Sequence, residues 1–168
     1  MKKILVFIAV MLLTGTIVNA QQPWVTQKVD NRVSIKFPST PVGSAASSFV
    51  TTAPDSSVAC VFTVVDFAEV ANLDSAALAP VKATPEFAAE LKTGFKQKLS
   101  DVNFSDLVIG NYKGFTSYST FGFDSKKKRY DIFMFIIGTN FYTLSVVTAY
   151  GGLLETRDKF FDSVEITQ

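Results

Sequence analysis

Residues with the types that chemistry needs fall into a few groups: the thiol of Cys60, the acids Asp66 and Glu69 with Lys82, the run Asp101 to Asp106, and the consecutive bases Lys126, Lys127, Lys128 and Arg129. A nucleophilic or redox role for Cys60 would need a nearby base, and the chain contains no histidine. That removes Ser-His and Cys-His pairs, the usual general base near neutral pH and the commonest zinc ligand. Cys60 also shares a period-2 face with Val58, Phe62 and Val64. A thiol in apolar surroundings is inert, so Cys60 reads as a small core residue.

Asp101, Asn103 and Ser105 have the spacing that opens a calcium loop, but the sixth position is Asp106 and the twelfth is Tyr112. Such a loop needs glycine and a bidentate glutamate there. Asp101 therefore reads as a helix exit and Asn103 as a turn residue. Asp66 and Glu69, at the end of a strand, would be an acid and base only if a cleft brought them together with a group such as Lys82, and spacing alone does not select them. The nine glycines form no phosphate-binding loop. No catalytic residue, metal ligand or cofactor is assigned on these grounds. The basic run Lys126 to Arg129 is the candidate contact for an anion or a partner, set against its plainer role of guarding the approach to a strand from wrong pairing.

The chain's ends and charge narrow the setting. Lys2 and Lys3, the apolar stretch 4–13 and the ending Val18-Asn19-Ala20 read as a secretory signal peptide over residues 1–20, leaving residues 21–168 as one α+β domain. Export follows, to the periplasm or beyond the cell. No later apolar stretch reaches the ~20 residues of a bilayer span, so no transmembrane span is expected after the signal. Without Lys2 and Lys3, the sixteen basic residues become fourteen against fifteen acidic ones. Nucleic acid is disfavoured as a partner, since it demands a clear cationic excess. A single cysteine permits no internal disulfide, so packing must supply the stability, with phenylalanine as its bulk.

Those residues are positioned by alternating strand and turn signals. Residues 24–29 and 32–37 form an opening hairpin about Asp30-Asn31, stopped by Pro38 and Pro41. Residues 47–52 are a weaker strand, and 58–67 a strand apolar on both faces and so covered on both sides. The Ala-rich stretch 69–81 stays open between loop and short helix. Thr84 as cap, Pro85 in the first turn, and Phe87, Leu91, Phe95 and Leu99 at four-residue spacing define the main helix. Gly94 within it reads as a site of close packing. A meander follows: 106–109, a turn at 110–114, then strands 115–123, 128–137 and 141–149. Tyr130, Ile132, Met134 and Ile136 share one face and Phe133, Phe135 and Ile137 the other, as in a central strand. Leu153, Leu154, Arg157, Phe160, Phe161 and Val164 have helical spacing, with 163–166 open to a final strand. The sum is an antiparallel sheet of about six to seven strands covered by a mid-chain helix and a C-terminal helix.

The stretches "WVTQKVDNRVSIKFPSTP", "RYDIFMFIIGTNFYTLSVV" and "DKFFDSVEI" resemble the PsbP-like and DcrB-like group of exported proteins. The resemblance implies an α/β/α sandwich used as an accessory or protein-binding module of the cell envelope rather than as an enzyme. Metal contacts proposed in its photosynthetic branch involve histidine, which this chain lacks. Beside that reading stands a carrier of a small apolar ligand or lipid, held between sheet and helix by side chains such as Phe87, Phe95, Phe133 and Phe135.

Overall fold

Pro38 and Pro41 decide the architecture, because neither can donate to a ladder and the chain changes sheets between them. The structure is a computed structural model describing residues 23–45, 47–54, 56–150, 152 and 154–167. The signal-peptide reading of residues 1–20, and Leu153, lie outside the described residues. Before the prolines, β1 (Val25–Lys28) and β2 (Val33–Phe37) form an antiparallel hairpin, and β11 (Glu165–Ile166) pairs with the other side of β2. After them, β3 (Val42–Ala45), β4 (Ser48–Thr52), β5 (Val58–Asp66), β6 (Asn103–Phe104), β7 (Val108–Tyr112), β8 (Phe115–Phe123), β9 (Arg129–Ile137) and β10 (Asn140–Thr148) make a second sheet. Its order is β3-β4-β5-β10-β9-β8-β6, with β7 also pairing β8, and every pairing is antiparallel. The fold class is thus α+β with antiparallel sheets. The strands divide into a three-stranded and an eight-stranded sheet rather than one sheet of intermediate size, because β1, β2 and β11 pair among themselves and not with a strand of the larger sheet.

Four helices are described: α1 (Phe67–Ala71), α2 (Ser75–Val81), α3 (Pro85–Lys98) and α4 (Glu155–Asp162). The ambiguous 69–81 stretch resolves into α1 and α2, each started by an aspartate side chain, Asp66 and Asp74, accepting a backbone N–H. Asn72 ends α1 in the left-handed conformation. In α3, Thr84 accepts the N–H of Phe87 at 3.3 Å, Pro85 begins the first turn, and Lys96 and Lys98 close the last. Gly94 does not serve close packing: a methyl group there would meet nothing within 4 Å. The 110–114 turn shrinks to Lys113-Gly114, both at positive φ, as a two-residue hairpin turn requires, and Gly110 to Tyr112 belong to β7.

Both faces of the large sheet carry a core, and they take different covers. On one face Cys60, Phe62, Phe135, Tyr142, Leu144 and Val146 meet Val33, Ile35 and Phe37 of β2 and Phe160 beneath α4. Phe160 lies 5.3 Å from Phe37, ring to ring, and its full burial contributes about 1.5–3 kcal/mol. Asp30 holds the two sheets in place: it accepts the buried Tyr142 hydroxyl at 2.6 Å and the N–H groups of Arg32 and Val33. On the other face Ile132, Met134, Ile136 and Tyr118 pack against Ala88, Phe87, Leu91 and Phe95 of α3. That cover serves β6, β8, β9 and Phe141, so β5 is sealed on one face only, and Val65 on its other face is 37% exposed. The expected two-sided cover of β5 is corrected accordingly. β9, with both its faces in a core, is the central strand.

Candidate functional site

The turn between β8 and β9 is built by Asp124, whose Oδ1 accepts the N–H groups of Lys126 and Lys128, each at 2.8 Å. Its backbone closes the same turn by bonds to Lys127 and Lys128. The closure sets Lys127 at φ +61, a left-handed conformation that glycine adopts freely and lysine only with strain. Lys126, Lys127 and Lys128 are exposed. The Lys127 ammonium stands 5.4 Å from the ring centroid of Tyr150, which is itself 76% exposed.

Arg129 separates from its three neighbours. The hairpin register sets Phe123 opposite Arg129 and Phe121 opposite Asp131, so all four share one face of the sheet. Asp131 is buried, and Arg129 donates to it from Nε and Nη2, both at 2.8 Å. Arg157 of α4 adds a third bond to Asp131, 3.2 Å from Nη1, and turns its Nε and Nη2 to Asp158. The hydrogen bond to Asp131 raises the Arg129 pKa above its ordinary value, so this guanidinium stays charged. Its Cζ lies 4.9 Å from the centroid of the Phe121 ring and 5.8 Å from that of Phe123. An arginine thus pinned along its Nε–Nη2 edge keeps its charge close to both rings, which meet edge to face at 82°.

Those rings are open to solvent. Phe121 is 43% exposed, Phe123 44% and Val108, on the neighbouring β7, 65%. Between this surface and α4 runs a groove of about 370 Å³, lined by Val108, Phe121, Asp131, Phe133, Arg157 and Phe161 among others. Within the group, Asp131 and Asp158 balance the two arginines, and Asp124 offsets one of the three exposed lysines, so the turn presents an excess of two positive charges. The arrangement suits docking: an apolar floor, a rigid ion-paired wall and a cationic rim.

The other sequence candidates are placed elsewhere. Cys60 is fully buried, and burial pushes its thiol up to about 12, consistent with a core residue. Asp66 is engaged as the cap of α1, its Oδ1 accepting Ala68 N–H at 2.9 Å, while Glu69 is exposed in that helix. Lys82 contributes its backbone carbonyl, which accepts the Tyr118 hydroxyl. In the 101–106 run, Asn103 lies in β6 rather than in a turn, and Asp106 is ion-paired with Lys92 at 2.6 Å, which lowers its pKa. The carrier quartet is split: Phe87 and Phe95 belong to the core under α3, Phe133 and Phe135 to the core on the opposite face. No single pocket can be lined by all four, because a sheet lies between them. A groove of about 450 Å³ does run along α3, bordered by Ala88, Ala89, Leu107, Ile109 and the Lys92–Asp106 pair.

Phe121, Phe123, Asp131 and Arg157 are the members that sequence reasoning passes over. The signal available for the first three was the hairpin register, counted outward from the Asp124–Lys128 turn, which aligns two phenylalanines with an Arg-x-Asp pair.

No family model and no curated protein matches the sequence. Among solved structures, the chain is similar to the solution structure of cyanobacterial PsbP (CyanoP) from Synechocystis sp. PCC 6803, at 13% identity and a TM-score of 0.56, over 91% of this chain and 96% of that one. It also matches a crystal structure from Bacteroides thetaiotaomicron VPI-5482 at 10% identity and a TM-score of 0.45. That match covers 88% of this chain and 49% of the other, so this chain spans about half its length. Two helical covers on opposite faces of an antiparallel sheet, with the early hairpin and the final strand joined beside α4, constitute a PsbP-like fold.

Proposed function

We propose that this chain is an exported, non-catalytic accessory module of the bacterial cell envelope, docking a protein partner through Val108, Phe121, Phe123 and the β8–β9 turn. The observation that carries the reading is the exposure of three large apolar side chains together on one sheet face, held in place by the Arg129–Asp131–Arg157 pairs. Large apolar groups gathered in the open mark interaction sites rather than chance. The lack of histidine and the burial of the single thiol support a role without catalysis. Export rests on the leader-like residues 1–20. Among the described residues no helix is long and apolar enough to cross a membrane. The carrier reading retains one supporting observation, the groove along α3, but its lining includes the Lys92–Asp106 ion pair, whose carboxylate is exposed.

Site-specific photo-crosslinking in the native host tests the proposal. A benzophenone side chain at position 121 or 123 is expected to capture one discrete protein, and the same group at the exposed Lys98 of α3 is expected not to. Equal crosslinking from both faces, or none from positions 121 and 123, would sink it.

A further inference from the structure

The groove's chemistry specifies more than a surface. Resting on the docking role proposed above, we infer that the site takes an acidic peptide segment of the partner, an apolar anchor side chain entering the groove while flanking carboxylates meet Lys126, Lys127 and Lys128. Asp131 and Asp158 balance the two arginines, and Asp124 offsets one of the three turn lysines, which leaves two net positive charges there. Asp131 accepts three bonds from Arg129 and Arg157, Asp158 accepts two from Arg157, and Asp124 accepts the turn amides. The lysines on the turn carry the outward charge, so the complementary partner is anionic.

The floor asks for something apolar as well. Val108, Phe121, Phe133 and Phe161 line the groove, and Arg129 is not a free cation because its Nε and Nη2 are bonded to buried Asp131. Anchor and charge therefore occupy different places, the anchor on the sheet face and the carboxylates on the turn. A bilayer fits this geometry poorly. The apolar residues line a groove between the sheet and α4, set back from the turn, so they would not enter an acyl layer while the lysines meet headgroups.

The test is selection from a random dodecapeptide phage library on the chain comprising residues 21–168, followed by fluorescence anisotropy on the consensus peptide. The expected consensus is an aromatic or large aliphatic residue flanked by Asp or Glu. Its affinity should fall about tenfold on Phe121→Ser with Phe123→Ser, and about tenfold between low and physiological salt. Since the serine variant removes the two rings beside Arg129, a second variant guards against misfolding: Lys126→Glu, Lys127→Glu, Lys128→Glu alters exposed turn residues and should reverse the selection toward basic peptides. A neutral or basic consensus from the native chain overturns the inference. So does an acidic consensus that binds the glutamate variant equally, no enrichment at all, or tighter binding to phosphatidylglycerol vesicles than to any selected peptide. Failure of this kind alongside discrete crosslinking from position 121 would remove the acidic segment while leaving a docking module, whereas failure of both would remove the module too.

Discussion

Replacing Asp131 with alanine removes the carboxylate that holds Arg129 and Arg157 together. The side chain is 8% exposed and accepts from two guanidinium groups, whose own side chains are 28% and 19% exposed. Taking one partner from a buried pair costs about 3–5 kcal/mol when the orphaned charge stays buried. Both arginines keep some access to water here, so the lower part of that range applies, about 3 kcal/mol. Urea unfolding followed by circular dichroism reads the loss as a shift in midpoint at unchanged slope. In a thermal scan it corresponds to about 6–12 °C for a chain of this size. The origin of the loss is separable from loss of packing. If uncompensated arginine charge is the cause, Asp131→Leu combined with Arg129→Met and Arg157→Leu should recover most of the stability, since apolar groups of similar size replace ion networks with little net change. A single-variant loss below about 1 kcal/mol, or a triple variant no better than Asp131→Ala, would refute the reasoning.

Gly94→Ala should stabilise the chain by about 0.5–1 kcal/mol in the same urea assay, because the added methyl meets open space and the helix loses its most flexible residue. Tyr142→Phe should cost about 1–2 kcal/mol through the lost bond to Asp30, with the β1–β2 hairpin showing faster hydrogen exchange than β9. Burial pushes Cys60, Tyr118 and Tyr142 up to about 12 from ordinary values of 9.0, 10.0 and 10.0. Unfolded, these acids release protons that the folded chain retains, so their contribution to stability should be constant below about pH 9 and fall between pH 9 and 12. Tyr118→Phe should make that fall shallower, and an unchanged slope would contradict its burial as a neutral phenol.

Much of the scaffold is local in origin, and that part can be read along the chain. The Thr84-Pro85 start and four-residue aromatic spacing of α3 require only neighbours within a few turns. The apolar alternation on both faces marks β9 as central before any partner is known. What escapes is set by residues far apart. β11 completes a sheet with β2 over a separation of more than a hundred residues, which no periodicity records. Period-2 reading also cannot say which face of a strand meets which helix, and so Phe87 and Phe133 were grouped although the sheet divides them. Arg129 looks like a fourth member of a basic run until Asp131 and Arg157 are brought to it from the strand and from α4. The exposure of Phe121 and Phe123 likewise depends on where the covers over the sheet end, a property of the assembled layers.

Native mass spectrometry on the chain gently purified from its host tests docking at this surface most directly, with the Phe121→Ser, Phe123→Ser variant run beside it. The native sample is expected to carry one additional protein that the variant has lost. A partner retained equally by the variant, or an added mass of only a few hundred daltons that vanishes on denaturation, would contradict the docking surface and return the groove along α3 to first place.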